Sequence, residues 1–427
     1  MKIRFKRVQL RVILEYIAAI ALTLECRSIW LYLYPQKSWT RTALLVISLG
    51  AFILLCLLYR RRKNTASTVL GLIFIDGIFI IQALLLNVNI QYHFELILMF
   101  TIIYLYITSC CDYDELPGVL KAYRNIIFSL AVISLILWLA ISVLGIMNTN
   151  QYVYTMWTSS GHPDRIRTFH NIYYEIQKNS FLSLLFPHSK VYRNTSIFTE
   201  APMATVHFCL AFLMEVFSPR EKSNKRIMIL ALAVASTAST TGYIVVITTL
   251  FGLWVSNGRS KRIAKAVKFM MVPGVLLAVG FVVVHMIADK LMTGSGVVRV
   301  DDFKAGFLAW LDAPLLGNGI NNIDCLRKYM SSFRSNNSGF SNSIMMVFAQ
   351  GGIVLGFFYV FPFTKCVITQ MKCHSRKNAI LAVEIAFMLF LSVVAYQYLT
   401  IFVLVWLYFL SGKKHTVMSQ TSRNDFL

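Results

Sequence analysis

Negative charge is what this sequence has least of: 19 Asp and Glu stand against 41 Lys and Arg in 427 residues, a formal net charge of +22. In a water-soluble protein such an excess points to nucleic acid. Here the basic residues gather between apolar runs instead, in KIRFKRVQLR (2–11), RRRK (60–63), PREKSNKR (219–226), GRSKRIAKAVK (258–268), KCHSRK (372–377) and GKKH (412–415). Short loops rich in Lys and Arg stay cytoplasmic, so the pattern reports membrane topology and nucleic acid is excluded as a partner. A cleavable leader is missing too. The first apolar run carries Glu15, Glu25 and Arg27 and no small-residue cleavage site, and it reads as an uncleaved helix. The eight cysteines (26, 56, 110, 111, 209, 325, 366 and 373) lack disulfide spacing, and only Cys325 falls in an expected exterior loop. Cys366, Cys373 and His374 are too loosely spaced to specify a metal site, so no metal or cofactor is expected. There is no internal repeat, low-complexity stretch, soluble domain or set of short alternating strands, which excludes a transmembrane β-barrel.

What is abundant is hydrocarbon. Hydrophobic residues make up 57% of the chain, with mean hydropathy +0.63, whereas soluble domains hold about 45–50%. Runs such as TALLVISLGAFILLCLLY (42–59) and NIIFSLAVISLILWLAISVLGIM (125–147) approach the ~20 residues a helix needs to cross a bilayer. Backbone in lipid must satisfy its own hydrogen bonds, so the expected class is all-α: a polytopic integral membrane protein forming one transmembrane domain over residues 1–427.

Alternating the basic clusters predicts twelve crossings with both termini cytoplasmic. They fall at about 11–34, 42–59, 69–88, 92–110, 125–147, 197–217, a pair within 227–256, 268–288, 341–363, and a pair within 379–411 divided at Tyr396–Gln397. Two long exterior loops result, 148–196 and 289–340, and unpatterned loops of that length are usually functional. The stretch 227–256 has basic clusters at both ends, so it crosses an even number of times. Its small polar centre, ASTASTTGY (235–243), reads either as the turn between two short helices or as a short hairpin lining a cavity.

Three segments near the exterior boundary carry possible chemistry. In VYRNTSIFTEAPMATVHF (191–208), Arg193 and Glu200 stand where a transmembrane helix begins. Charge at such a position is costly unless paired or wetted. The two residues are either an ion pair fixing the loop or an active-site pair, the guanidinium for an anion and the carboxylate as base. In the second loop, Arg299, Asp301, Asp302 and Lys304 precede an amphipathic turn, AGFLAWL, and then a tight turn carrying Pro314, Gly317, Asn318 and Gly319. Arg299 is the better anion candidate there, because its fork can clamp phosphate oxygens in a bidentate way. Ser341, Asn342 and Ser343 open the next helix, where Asn342 is either an N-cap or a pocket residue. Gly351, Gly352 and Gly356 suit close helix packing. His162, His170 and His188 read as surface histidines. The loop aromatics Tyr152, Tyr154, Trp157, Tyr173, Tyr174 and Trp310 are open to stacking on sugar rings or to ordinary packing.

At these segments the chain resembles the O-antigen polymerase and ligase superfamily, the Wzy-type membrane glycosyltransferases. The resemblance spans roughly 120–400. It rests on Arg193 with Glu200-Ala201-Pro202, the small polar turn Ser239-Thr240-Thr241-Gly242-Tyr243, Arg299 before the Pro314/Gly317/Gly319 turn, and Ser341-Asn342 opening a helix that holds Gly351-Gly352. It implies a bacterial cytoplasmic-membrane enzyme of surface polysaccharide synthesis (exopolysaccharide, capsule or O-antigen), acting on glycans carried by polyprenyl diphosphate. Chain-length regulator and flippase proteins would be its partners. Arg193 and Arg299 would bind the diphosphate, Thr241, Tyr243 and Asn342 would line the substrate site, and Glu200 would serve the acceptor hydroxyl. Two departures stand out. The polar turn often carries an Arg in the family and reads Thr-Thr-Gly-Tyr here. The ligase branch has a His where this chain has Ser341, which favours the polymerase branch over ligase or transporter alternatives.

Overall fold

The computed structural model describes residues 2–31, 39–59, 65–86, 88–110, 116–155, 164–178, 191–218, 222–256, 294–334, 339–372 and 376–410. Of these, 76% are helical. The helices are α1 (Lys2–Glu25), α2 (Trp39–Tyr59), α3 (Thr65–Leu86), α4 (Ile90–Cys110), α5 (Gly118–Leu137), α6 (Ala201–Phe217), α7 (Asn224–Ser236), α8 (Thr240–Ser256), α9 (Gly294–Asp312), α10 (Asp324–Arg327), α11 (Ser343–Lys372), α12 (Arg376–Phe390) and α13 (Tyr398–Leu410). Five are long and apolar enough to cross a membrane: Trp39–Tyr59, Val69–Leu86, Ile90–Cys110, Ser343–Lys372, and α5 continued through a π-helical turn as Gly118–Val143. Shorter apolar helices lie at Ala201–Phe217, Thr240–Trp254, Asn378–Phe390 and Tyr398–Leu410. This is the structure of a membrane protein. Large apolar residues such as Leu70, Phe74, Leu84 and Leu85 of α3 stand exposed along its flank, as a lipid-facing surface requires.

One continuous core runs from α1 and α2 through α4, α5 and α6 to α11–α13. Phe52, Tyr106 and Phe402 meet at its centre with ring centroids 5.3–5.9 Å apart. The acidic residues that the sequence scatters along helices all have local partners. Glu215, fully buried, lies 3.3 Å from Arg124 and 3.4 Å from Arg226, joining α5, α6 and α7. Asp76 accepts from Thr101 and Glu384 from Thr248. No carboxylate ladder that would carry protons is formed among the described residues.

Several expectations need correction. The chain is not wholly α: residues 151–175 form a three-stranded antiparallel sheet of β1 (Gln151–Thr155), β2 (Asp164–Phe169) and β3 (Tyr173–Glu175) in the order β1-β2-β3. Gln151 pairs with Thr168 and Arg167 with Glu175. The first helix ends at Glu25 rather than 34, because Arg27 takes φ +62° and turns the chain. The helix expected at 341–363 runs on to Lys372 despite Pro362. The second long loop is largely ordered by α9, a helix of 19 residues. Both predicted breaks are present: α7 and α8 are separated by Thr237–Ser239, and α12 and α13 by residues 391–397. The crossing expected at 268–288, together with Trp157, His162, His188, Cys373 and His374, lies outside the described residues. His170 turns between β2 and β3 and pairs with Asn150. Tyr173 and Tyr174 are fully buried and unavailable to a sugar, whereas Tyr152 and Tyr154 are exposed.

Candidate functional site

The segments around Gln177, residues 193–203, 239–241 and 298–299, Ser341 and residues 391–393 meet around one cavity. They do so because irregular backbone cannot be left unpaired in an apolar setting. The segment 191–199 shows this most clearly. It has no regular structure, yet Val191, Asn194, Thr195, Phe198 and Thr199 are fully buried. Its polar groups find partners all round. The Asn194 amide donates to Ser134 and Ser236, and Thr195 donates to the Tyr174 carbonyl. The Arg193 backbone N–H donates to the Gln177 carbonyl, and that of Thr199 to the Arg27 carbonyl. Phe198 stacks on His207 at 3.9 Å, and His207 in turn holds the Cys26 carbonyl and the Tyr123 hydroxyl.

This segment delivers Arg193 and Glu200 to a cavity of about 180 Å³. The Arg193 guanidinium donates to the Thr237 carbonyl at 2.7 Å and to Gln177 Oε1 at 3.4 Å, so it is anchored on the α7–α8 turn and on the strand segment rather than on Glu200. Of the two readings of this pair, the loop-fixing ion pair is not formed. Glu200 is the N-cap of α6 through its backbone alone, and its side chain makes no capping hydrogen bond and faces the cavity. Arg299, from the first half of α9, completes the charged wall. Burial pushes Glu200, which precedes the short apolar helix α6, above its ordinary 4.5, while Arg27, Arg193 and Arg299 pull it back down. Burial likewise lowers both Arg193 and Arg299, and Glu200 opposes this for each.

A second space of about 370 Å³ adjoins the first and shares Thr240, Thr241, Arg299, Ser341 and Leu391 with it. Apart from Asn342, its remaining walls are apolar, among them Ile244, Phe303, Phe387 and Phe390. Arg299 thus stands at the junction of a charged chamber and a greasy one.

The other candidates fall as follows. Thr241 lines both spaces. Asn342 lines the apolar one, but its carbonyl oxygen accepts from the Met345 N–H, so it is also the N-cap of α11. Tyr243 donates its hydroxyl to the Ala235 carbonyl across the hairpin and lines neither space. Ser341 is fastened by Asp302, which accepts from its N–H at 2.8 Å and its hydroxyl at 2.5 Å. Asp302 also holds Arg334 at 2.6 Å, with both buried. The Pro314–Gly319 turn does not face the cavities. Gly319 N donates to the Gln350 carbonyl and Ile353 N to the Pro314 carbonyl, so the turn plugs a break in α11 at Gly352. Ser239, of the small polar turn, also lines the charged cavity, as do Gln177, Ser392 and Val393, which were not singled out from the sequence. The Ser392 hydroxyl is buried there without a hydrogen-bond partner. No group of three metal-ligating side chains occurs among the described residues.

Among known proteins, no family model matches this chain, and no curated protein matches it.

Proposed function

We propose that the chain polymerises a bacterial surface polysaccharide, transferring glycan from polyprenyl diphosphate to a hydroxyl of another lipid-linked repeat unit. The transfer takes place on the outer face of the cytoplasmic membrane, with twelve crossings and both termini inside. The observation that carries this reading is the paired chamber: Arg193, Arg299 and Glu200 in one polar cavity, opening beside an apolar one. A charged head joined to a hydrocarbon tail is the ligand such a pair suits. Two guanidiniums match a diphosphate, whose oxygens they bind in bidentate fashion.

In the reaction the acceptor hydroxyl oxygen forms a bond to the anomeric carbon of the donor sugar. The bond from that carbon to the diphosphate breaks, and the electron pair leaves with the diphosphate. Arg193 and Arg299 stabilise the charge that develops there. The hydroxyl proton passes to Glu200, whose raised proton affinity suits a base working near neutral pH. Burial makes each of these charge interactions stronger than it would be in water.

The test uses a strain deleted for this gene and complemented with wild type, Arg193→Ala, Arg299→Ala or Glu200→Ala at equal membrane expression. Lipid-linked and surface glycans are resolved by size. The proposal requires single repeat units to accumulate and long chains to vanish in the deletion and in the variants. Long chains that form but fail to reach their final acceptor would point to a ligase. Normal chain length and attachment would refute the enzyme reading.

A further inference from the structure

A third cavity lies at the same end of the bundle and belongs to none of the machinery described above. It encloses about 190 Å³ between the end of α1, the starts of α2 and α4, the turn at Asn321 and the α12–α13 break. Its walls mix polar and apolar side chains and carry Arg27, Arg41 and Glu95. Arg41 lies 3.2 Å from Glu95, with its guanidinium over the Tyr92 ring at 5.2 Å. Behind the wall, Glu25 accepts from the Tyr398 N–H at 2.9 Å, lies within reach of the Gln397 amide, and interacts electrostatically with Arg41 and Arg27. Four buried polar atoms of the wall, Arg41 Nε, Glu95 Oε2 and the Tyr396 and Tyr398 hydroxyls, have no hydrogen-bond partner. Buried polar groups are rarely left so, and unsatisfied donors around an enclosed space mark the place of a ligand's acceptors.

The cavity is not isolated. Val393 lines both it and the Arg193–Glu200 cavity. The partition between them is Arg27, which donates through Nε to the Val393 carbonyl at 3.1 Å. Its own carbonyl holds Thr199, the neighbour of Glu200, and its charge lowers the proton affinity of Glu200. A ligand seated on the far side of Arg27 would therefore present an edge towards the carboxylate.

We infer that this cavity binds one neutral sugar residue of the acceptor glycan, with Arg41, Glu95 and Asn321 holding its hydroxyls. Drug-sized ligands occupy pockets of about 300–1,000 Å³, so a space of about 190 Å³ suits a single ring. Mixed donors and acceptors with an aromatic wall suit hydroxyl groups, and Arg41 and Glu95 match each other's charge across the space. The identification of the sugar as acceptor rests on the polymerase reading; the existence of a saccharide site does not.

The experiment uses the full chain in lipid nanodiscs and two probes: neutral oligosaccharide cut from the strain's own surface polysaccharide, free of lipid and phosphate, and sugar-free polyprenyl diphosphate. Calorimetry is run on wild type, Glu95→Gln, Arg41→Lys and Arg193→Ala, after thermal melting has shown each to be folded. Arg41→Lys keeps the charge and loses the fork, which makes it the gentler variant. The expected result is at least a tenfold loss of oligosaccharide affinity in Glu95→Gln and Arg41→Lys, with Arg193→Ala unchanged. For polyprenyl diphosphate the order reverses. Wild type that binds polyprenyl diphosphate but not the oligosaccharide, or oligosaccharide binding that depends on Arg193 and not on Glu95, overturns the inference. Wild type that binds the oligosaccharide in this cavity but not polyprenyl diphosphate supports the saccharide site and overturns the polymerase reading instead.

Discussion

Glu200 carries two opposing influences, and their balance is measurable. Burial raises its proton affinity, while Arg27, Arg193 and Arg299 each lower it. For a base, the rate rises with pH as the carboxyl ionises, so the rising limb of the transfer rate should lie above pH 4.5. Arg299→Gln removes one stabilising charge, so protonation persists to higher pH and the limb should move in the alkaline direction. It should also slow transfer by roughly 10²–10³, the cost of losing one electrostatic donor. Glu200→Gln should abolish the limb and slow transfer by about 10²–10⁴. A purified-enzyme pH profile on lipid-linked repeat units checks all three, and a limb that survives Glu200→Gln would remove Glu200 from the base role. Arg193, Glu200 and Arg299 were legible because charge beside an apolar run stands out in a sequence. Ser392 and Val393 were not recognisable as parts of that wall, nor was Arg27 as the residue behind it: Arg27 meets Val393 across 366 residues, a contact no local pattern encodes.

At the scale of elements, the site is held by two fastenings outside it. The first is the break in α11. Gly352 sits at φ +63° and ψ −163°, a region open only to glycine, and an added Cβ would stand 2.2 Å from the Leu315 carbonyl oxygen. Gly352→Ala should therefore expel the Pro314–Gly319 turn and lower the melting midpoint in detergent by several degrees. Gly50→Ala in α2, where a Cβ meets nothing within 4 Å, should be neutral or mildly stabilising. The second fastening is Asp302, which serves Arg334 and Ser341 together. Asp302→Ala leaves Arg334 with the Asp301 carboxylate at 3.3 Å and the carbonyls of Val298 and Gly339, one buried anion short. Breaking a buried pair in this way should cost roughly 3–5 kcal/mol, read as lost thermal stability along with lost transfer. The glycines of this turn were visible in the sequence, but their partner was not. The same residues would suit a phosphate loop, and only tertiary contact shows their N–H groups aimed at helix carbonyls. The sheet at 151–175 escaped for a different reason: its strands hold five, six and three residues, and the buried cluster over it is only Ile29, Ile166 and Tyr174. So small an apolar face imposes little periodicity on the sequence.

Across the whole molecule, helices of two lengths meet. α2, α3 and α4 run to 21 or 22 residues, about 32 Å at 1.5 Å per residue, enough for a hydrocarbon layer near 30 Å. Several that end at the cavities are shorter, with 17 residues in α6, 13 in α7, 15 in α12 and 13 in α13, although α11, which also begins there, holds 30. Thirteen residues reach only about 20 Å, so in the proposed topology a turn such as Thr237–Ser239 would stop roughly 10 Å short of the boundary. The basic clusters and the small polar run 235–243 made both breaks legible, since even crossings between two cytoplasmic clusters force a turn. What they left open was the depth of the turn, which depends on helix ends set by capping and by buried loop contacts. On the proposed function, a site sunk into the layer would place the Arg193–Arg299 chamber at the level of a diphosphate whose polyprenyl tail is already in hydrocarbon. It also makes the short helices sensitive to thickness, because stretching the layer exposes the turn's polar groups to lipid or forces the short helices to tilt. Transfer activity should therefore be highest in thin bilayers and fall steadily in phosphatidylcholine nanodiscs as the acyl chains lengthen from 14 to 22 carbons, at constant protein folding. Activity independent of chain length would mean that the surrounding long helices alone set the match to the membrane, and that the cavity floor is not recessed.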